Sequence, residues 1–160
     1  MSKSKEIKTN AMRQLDRMKI PYSHYTYECE EFVDGIQVAD MLGLPHEKVY
    51  KTLVAQGASG EYFVFVIPIE AELDLKKAAR CVGQKSVAMI HVKDINAVTG
   101  YVRGGCTPLG MKKQYRTVIH ESACKLPSMI VSGGRIGSQI ELAPPDLQKA
   151  SGAEFMDVTV

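Results

Sequence analysis

The sequence predicts an α+β domain built around a mixed or antiparallel sheet. Three observations carry that prediction. Helical and strand-like apolar patterns both occur; they do not alternate regularly, as a doubly wound parallel sheet would require; and glycine or proline breaks bound many short strands. With 160 residues, 45% hydrophobic and 24% charged, the chain fits a single soluble domain over residues 1–160, since domains commonly run ~100–200 residues.

Ile7, Ala11, Met12, Leu15 and Met18 recur at helical spacing, which predicts a helix over 5–19 that Pro21 stops. Residues 22–27 alternate aromatic with polar and suit a strand. Asp34 is placed to cap a short helix over 35–42, Gly43 to end it, and Pro45 to bar its continuation. Strands are predicted at 48–56 and 61–69, joined by a Gly57-Ala-Ser-Gly60 turn. Asp74 heads a helix through Leu75, Ala78, Ala79 and Val82, closed by Gly83, and a second short helix is expected over 92–99, ended by Gly100. Strands at 116–120, 128–132 and 138–142 follow. Pro144-Pro145-Asp146 opens a closing helix, and 155–160 reads as an edge strand.

Bulk properties narrow the function. No apolar run approaches the ~18–20 residues of a membrane span. The polar, basic start predicts no secretory leader and a cytoplasmic location. A net charge of +2 does not argue for general nucleic-acid binding, though local basic faces stay open. The basic clusters are Lys3, Lys5 and Lys8, then Lys76 and Lys77, then Lys112, Lys113 and Arg116, and the plainer reading of each is a solvated face. Cys29, Cys81, Cys106 and Cys124 have neither Cys-x-x-Cys nor zinc-finger spacing, so reduced thiols and no metal site are expected. Neither nucleotide-binding glycine motif, nor a G-x-S-x-G elbow, nor H-E-x-x-H occurs. A Cys106–His120 couple in space stays open beside the plainer reading of Cys106 as a small packed residue.

Three segments resist a purely structural explanation. In Val49-Tyr-Lys-Thr-Leu-Val54 a lysine interrupts an apolar strand. Lys51 either snorkels from a sheet edge or reaches a carboxylate, a ligand anion or a pocket mouth, because a buried lysine needs a partner. The run Thr99-Gly-Tyr-Val-Arg-Gly-Gly-Cys-Thr-Pro-Leu-Gly110 is either a tight loop or one whose backbone N–H groups hold a phosphate or oxyanion. Val131-Ser-Gly-Gly-Arg-Ile-Gly-Ser-Gln-Ile-Glu-Leu142 is either a glycine hairpin or a turn that places Ser132 and two amides beside a ligand.

Taken in order, V-Y-K-T-L at 49–53, L-D-L-K-K at 73–77, T-G-Y-x-x-G-G-x-[ST]-P-L-G at 99–110 and V-S-G-G-x-x-G-x-x-I-E-L at 131–142 resemble the YbaK/EbsC group of aminoacyl-tRNA editing domains. The resemblance spans nearly the whole chain. It implies an α+β fold with a mixed, barrel-like sheet surrounded by helices, and removal of a wrongly attached amino acid from tRNA, such as cysteine from Cys-tRNA(Pro). It implies Lys51 as the catalytic residue, holding a phosphate or ester oxygen and stabilising developing negative charge. Tyr27, Thr52, Tyr101, Gly104, Gly105, Ser132, Gly133 and Gln139 are implied on the substrate side. No cofactor is implied, because the resemblance implies that the substrate cysteine attacks its own ester.

Two positions depart from the family pattern. Gln139 stands where the Cys-tRNA(Pro) deacylases have an acid, and Asp34 replaces an aromatic residue; both bear on the preferred amino acid. The implied partners are the acceptor end of an aminoacyl-tRNA and a prolyl-tRNA synthetase, with no membrane, and monomer and homodimer both stay open. Three other readings stand beside this one. They are a non-catalytic module that binds tRNA or a synthetase, editing of Ala- or Ser-charged tRNA by activated water, and a wall-related regulator, against which the absent export signal counts.

Overall fold

The computed structural model describes residues 8–28 and 33–160; Lys3, Lys5, Ile7 and Cys29 lie outside them. Helix α1 runs Asn10–Arg17. It begins there because Thr9 is its cap: the Thr9 hydroxyl accepts from the Met12 N–H and donates to the Gly133 carbonyl. Strand β1 is Ser23–Thr26. Helix α2 is Gly35–Leu42, with Asp34 and Gln37 forming a reciprocal capping box and Gly43 ending it at φ 67°.

Strands β2 (Tyr50–Gly57) and β3 (Tyr62–Pro68) form the predicted hairpin. Lys48, expected within the strand, belongs instead to a 3-10 turn, His46–Lys48. Helix α3 is Leu75–Cys81, and the Asp74 carboxylate accepts from the N–H groups of Lys76 and Lys77. Strand β4, Val87–Met89, was not predicted, since three residues without alternation give no periodic signal. The helix expected over 92–99 is split into a 3-10 turn, Val92–Asp94, and α4, Ile95–Thr99. Strands β5 (Arg116–His120), β6 (Met129–Ser132) and β7 (Ser138–Leu142) and helix α5 (Pro144–Ser151) follow the prediction closely. Strand β8 is shorter and earlier than expected, Glu154–Met156.

The described strands form two sheets rather than a closed barrel. One has the order β4-β2-β3-β5-β8 and the other β1-β7-β6. The first is mixed: β2 pairs antiparallel with β3 and β4, whereas β3–β5 and β5–β8 are parallel. The second is antiparallel throughout. An isolated parallel bridge, Val49 to Ile130, connects them.

Strand β3 lies at the centre of the larger sheet and is buried on both faces. Val66 packs with Leu15, Ile119, Met129, Ile140 and Leu147 on one side. Phe65 and Ile67 pack with Ala78, Val82 and Val118 on the other. That double burial explains the unbroken apolar run from Tyr62 to Ile67, which a half-exposed strand would have interrupted with polar residues.

Candidate active site

Strand β2 positions the site through an incomplete edge. On one side it pairs with β3 from Tyr50 to Gln56. On the other it pairs with β4 only from Ala55 to Gly57, and just before it Val49 bridges to Ile130 of β6. Lys51, Thr52 and Leu53 therefore face the gap where the two sheets part. A cavity of about 470 Å³ opens there, lined by residues 49–54 together with α2, the segment after β4, the 100–110 loop and the β6–β7 strands. Its size falls in the ordinary range of small-molecule sites, ~300–1,000 Å³.

Tyr27, Lys51, Thr52, Gly104, Ser132 and Gln139 all line this cavity. Tyr101, Gly105 and Gly133 do not line it. Tyr101 is buried behind the loop, where its hydroxyl donates to the Leu109 carbonyl at 2.5 Å. Burial, with the neighbouring Cys106, pushes its phenol up to about 12, so it stays protonated and structural. Gly105 lets two glycine loops touch: a Cβ there would lie 2.8 Å from the Arg135 Cα. Its neighbour Gly104 takes φ 88°, a region that favours glycine. A Cβ at Gly133 would collide with the Ser138 hydroxyl.

The polar groups of the cavity have few protein partners. Lys51 is half-buried and, among the described residues, makes no hydrogen bond or ion pair. The Thr52 Oγ1 is buried and unpartnered, an arrangement that costs free energy unless something else supplies the bond. Gln139 is only 6% exposed. Together these groups can bind an anionic or carbonyl oxygen and polarise it.

Sequence reasoning missed several lining residues. Arg103 occupies a variable place in the 99–110 motif, and Met89, Ile90 and Val92 belong to the segment whose strand gave no signal. Cys106 also lines the cavity, but burial pushes its thiol up to about 11, against a lowering hydrogen bond with Thr99. It is not coupled to His120, whose ring is engaged by the Val158 N–H and the Thr159 hydroxyl. Among the described residues no histidine lines the cavity, and no group of three His, Cys, Asp or Glu is placed to hold a metal ion.

The third basic cluster is divided. Lys112 donates to the Ala97 carbonyl, Arg116 pairs with Glu154 at 3.1 Å, and Lys113 is exposed. No helix among the described residues is long and apolar enough to cross a membrane.

The two-sheet α+β scaffold thus carries a cavity with polar groups at the gap between its sheets. The chain belongs to the aminoacyl-tRNA editing domain family, whose model matches residues 30–150. It is 44% identical over 161 residues to EbsC of Enterococcus faecalis (strain ATCC 700802 / V583), named as a candidate Cys-tRNA(Pro)/Cys-tRNA(Cys) deacylase, covering 99% of this chain and 98% of that one. It is 36% identical over 75 residues to a proline–tRNA ligase of Fervidobacterium nodosum (strain ATCC 35602 / DSM 5306 / Rt17-B1), covering 47% of this chain and 13% of the ligase. A solved structure described as a candidate trans-editing enzyme for prolyl-tRNA synthetase shares the fold, with a TM-score of 0.79 at 20% identity over 97% of this chain and 99% of that one.

Proposed function

We propose that the chain is an aminoacyl-tRNA deacylase that removes cysteine from mischarged Cys-tRNA(Pro), with the acceptor end held in the cavity beside β2. The observation that supports this most is Lys51, a half-buried cation without a partner among the described residues, in a cavity of the right size. Its three N–H donors suit a phosphate or ester oxygen and the negative charge that develops as the ester carbonyl is attacked. Thr52 offers a second, otherwise unpartnered hydroxyl.

In this reading the substrate cysteine's sulfur bonds to its own carbonyl carbon, the ester C–O bond breaks, and the thiol proton passes to the departing ribose oxygen. The protein contributes proximity and charge stabilisation. Tyr27, Ser132 and Gln139 orient the aminoacyl group, while Tyr101, Gly105 and Gly133 shape the walls from behind. Gln139 favours a second reading, because a neutral amide replaces the acid expected of Cys-tRNA(Pro) deacylases: Ala- or Ser-charged tRNA, hydrolysed by activated water.

The chain acts as one editing domain over residues 1–160, in the cytoplasm, as a monomer or homodimer. The two bridged sheets form an incomplete barrel around its core. A prolyl-tRNA synthetase is the partner, a reading supported by the likeness to proline–tRNA ligases.

Deacylation of Cys-, Ala- and Pro-tRNA(Pro) by the wild type and Lys51→Ala tests the proposal. Loss of Cys-tRNA alone, reduced about 10²–10³-fold in the variant, is expected, the scale of one lost charge-stabilising donor. Loss of Ala-tRNA instead moves the specificity, and no loss of any substrate leaves a binding module.

A further inference from the structure

Beside the cavity lies a second, open cleft of about 380 Å³ that the deacylation scheme does not use. The two share Met89 and Ile90, so a ligand whose reactive end lies at Lys51 can run across these residues into the cleft. Met89 and Val92 are 44% and 54% exposed at that passage, an apolar surface in contact with water.

The polar lining is distinctive. His91 and Asp94 face the cleft, and among the described residues neither side chain makes a hydrogen bond or ion pair. Gln56, by contrast, already donates to the Gly60 carbonyl. No lysine or arginine lines the cleft.

We propose that this cleft binds an amino-bearing nucleobase of the polynucleotide whose esterified end occupies the neighbouring cavity. The inference rests on the editing reading above and extends it to base recognition. With Asp94 lining the cleft and no lysine or arginine among the described lining residues, phosphate is disfavoured within the cleft and a base is not. Asp94 only accepts hydrogen bonds, which suits the exocyclic amine of adenine, cytosine or guanine and opposes the O4 of uracil. His91 supplies a ring that can stack or donate, and Met89 supplies apolar contact for a base face.

The test uses 5′-fluorescein RNA trinucleotides with free 3′ hydroxyls and follows anisotropy with the full chain. CCA is expected to bind about tenfold more tightly than UUU, the scale of one well-placed base contact. CCU and UUA show which base carries the preference. Asp94→Asn should narrow the gap from both sides, because its amide can donate to uracil O4, so UUU binding rises. The Asp94 side chain caps no helix, so this variant should melt with the wild type; His91→Ala serves as the second variant. Equal binding of CCA and UUU overturns the proposal, as does a preference that survives both variants. Because the readout is binding of uncharged RNA, it is independent of deacylation. A protein that hydrolyses nothing yet prefers CCA keeps this inference, and one that deacylates without base preference loses it alone.

Discussion

Lys48, on the turn before β2, donates to Glu141 of β7 at 2.7 Å, and this ion pair ties the turn that leads into β2 to the smaller sheet. The Tyr25 hydroxyl donates to the same carboxylate at 2.5 Å, and the Ser128 hydroxyl donates to it as well. Burial alone would raise the Glu141 carboxyl, but the hydrogen bonds from Lys48, Ser128 and Tyr25 outweigh it and bring it down to about 2.

A carboxylate depressed from 4.5 to about 2 on folding contributes stability that is full above about pH 4.5 and fades as pH falls toward 2. Glu141→Gln is expected to cost about 2–3 kcal/mol at neutral pH. Urea unfolding at a series of pH values checks this. The variant should show a flatter acid limb than the wild type, and parallel limbs would remove Glu141 from the account.

Thr52→Val should separate stability from function. Its Oγ1 is buried without a partner among the described residues, so an isosteric methyl relieves a desolvation cost and should leave stability unchanged or raise it by about 1 kcal/mol. Substrate binding should weaken, read as a rise in KM for the charged tRNA. A loss of stability would mean that the hydroxyl has a partner in solution.

Gly105→Ala tests the contact between the two glycine loops. The added methyl would sit 2.8 Å from the Arg135 Cα and 3.0 Å from its carbonyl carbon, and backbone cannot swing aside as a flexible side-chain end can. A loss of about 1–3 kcal/mol is expected, measured by thermal or urea melting, with deacylation falling in parallel as Gly104 and Ser132 shift apart.

Cysteine reactivity should divide by exposure. Cys124 is exposed, whereas burial raises the Cys106 thiol to about 11. With iodoacetamide at about pH 8, mass spectrometry should find Cys124 alkylated well before Cys106, because the thiolate is the reactive form. Cys106→Ala should retain most deacylation; complete loss would reinstate the thiol as a reacting group.

Local chemistry made much of the fold legible. Asp34 with Gln37 and Asp74 ahead of Lys76 and Lys77 announce helix starts through bonds made within a few residues, and the paired prolines 144 and 145 announce one through their fixed φ in the first turn. The apolar run of β3 announces a central strand. The cavity was less legible because it depends on where pairing stops: β4 and β6 leave Lys51 to Leu53 uncovered, and that is settled by segments some 35 to 80 residues away. Lys51 stood out as a cation in an apolar strand. Arg103, among many loop residues, carried no comparable mark, and Tyr101 looked like a ligand contact although its hydroxyl is committed to Leu109.

The pairing of β1 with β7, Ser23 opposite Glu141 and Thr26 opposite Ser138, sets an order of events during synthesis. The first strand has no sheet to join until more than a hundred further residues have left the ribosome, and closing so long a loop is slow. Tyr27, just beyond that strand, and Gln139, within its partner, cannot face one another earlier. The nascent chain thus remains without its cavity until β7 has emerged, and a chain that stops before β7 would keep Lys51 yet lack the opposite wall.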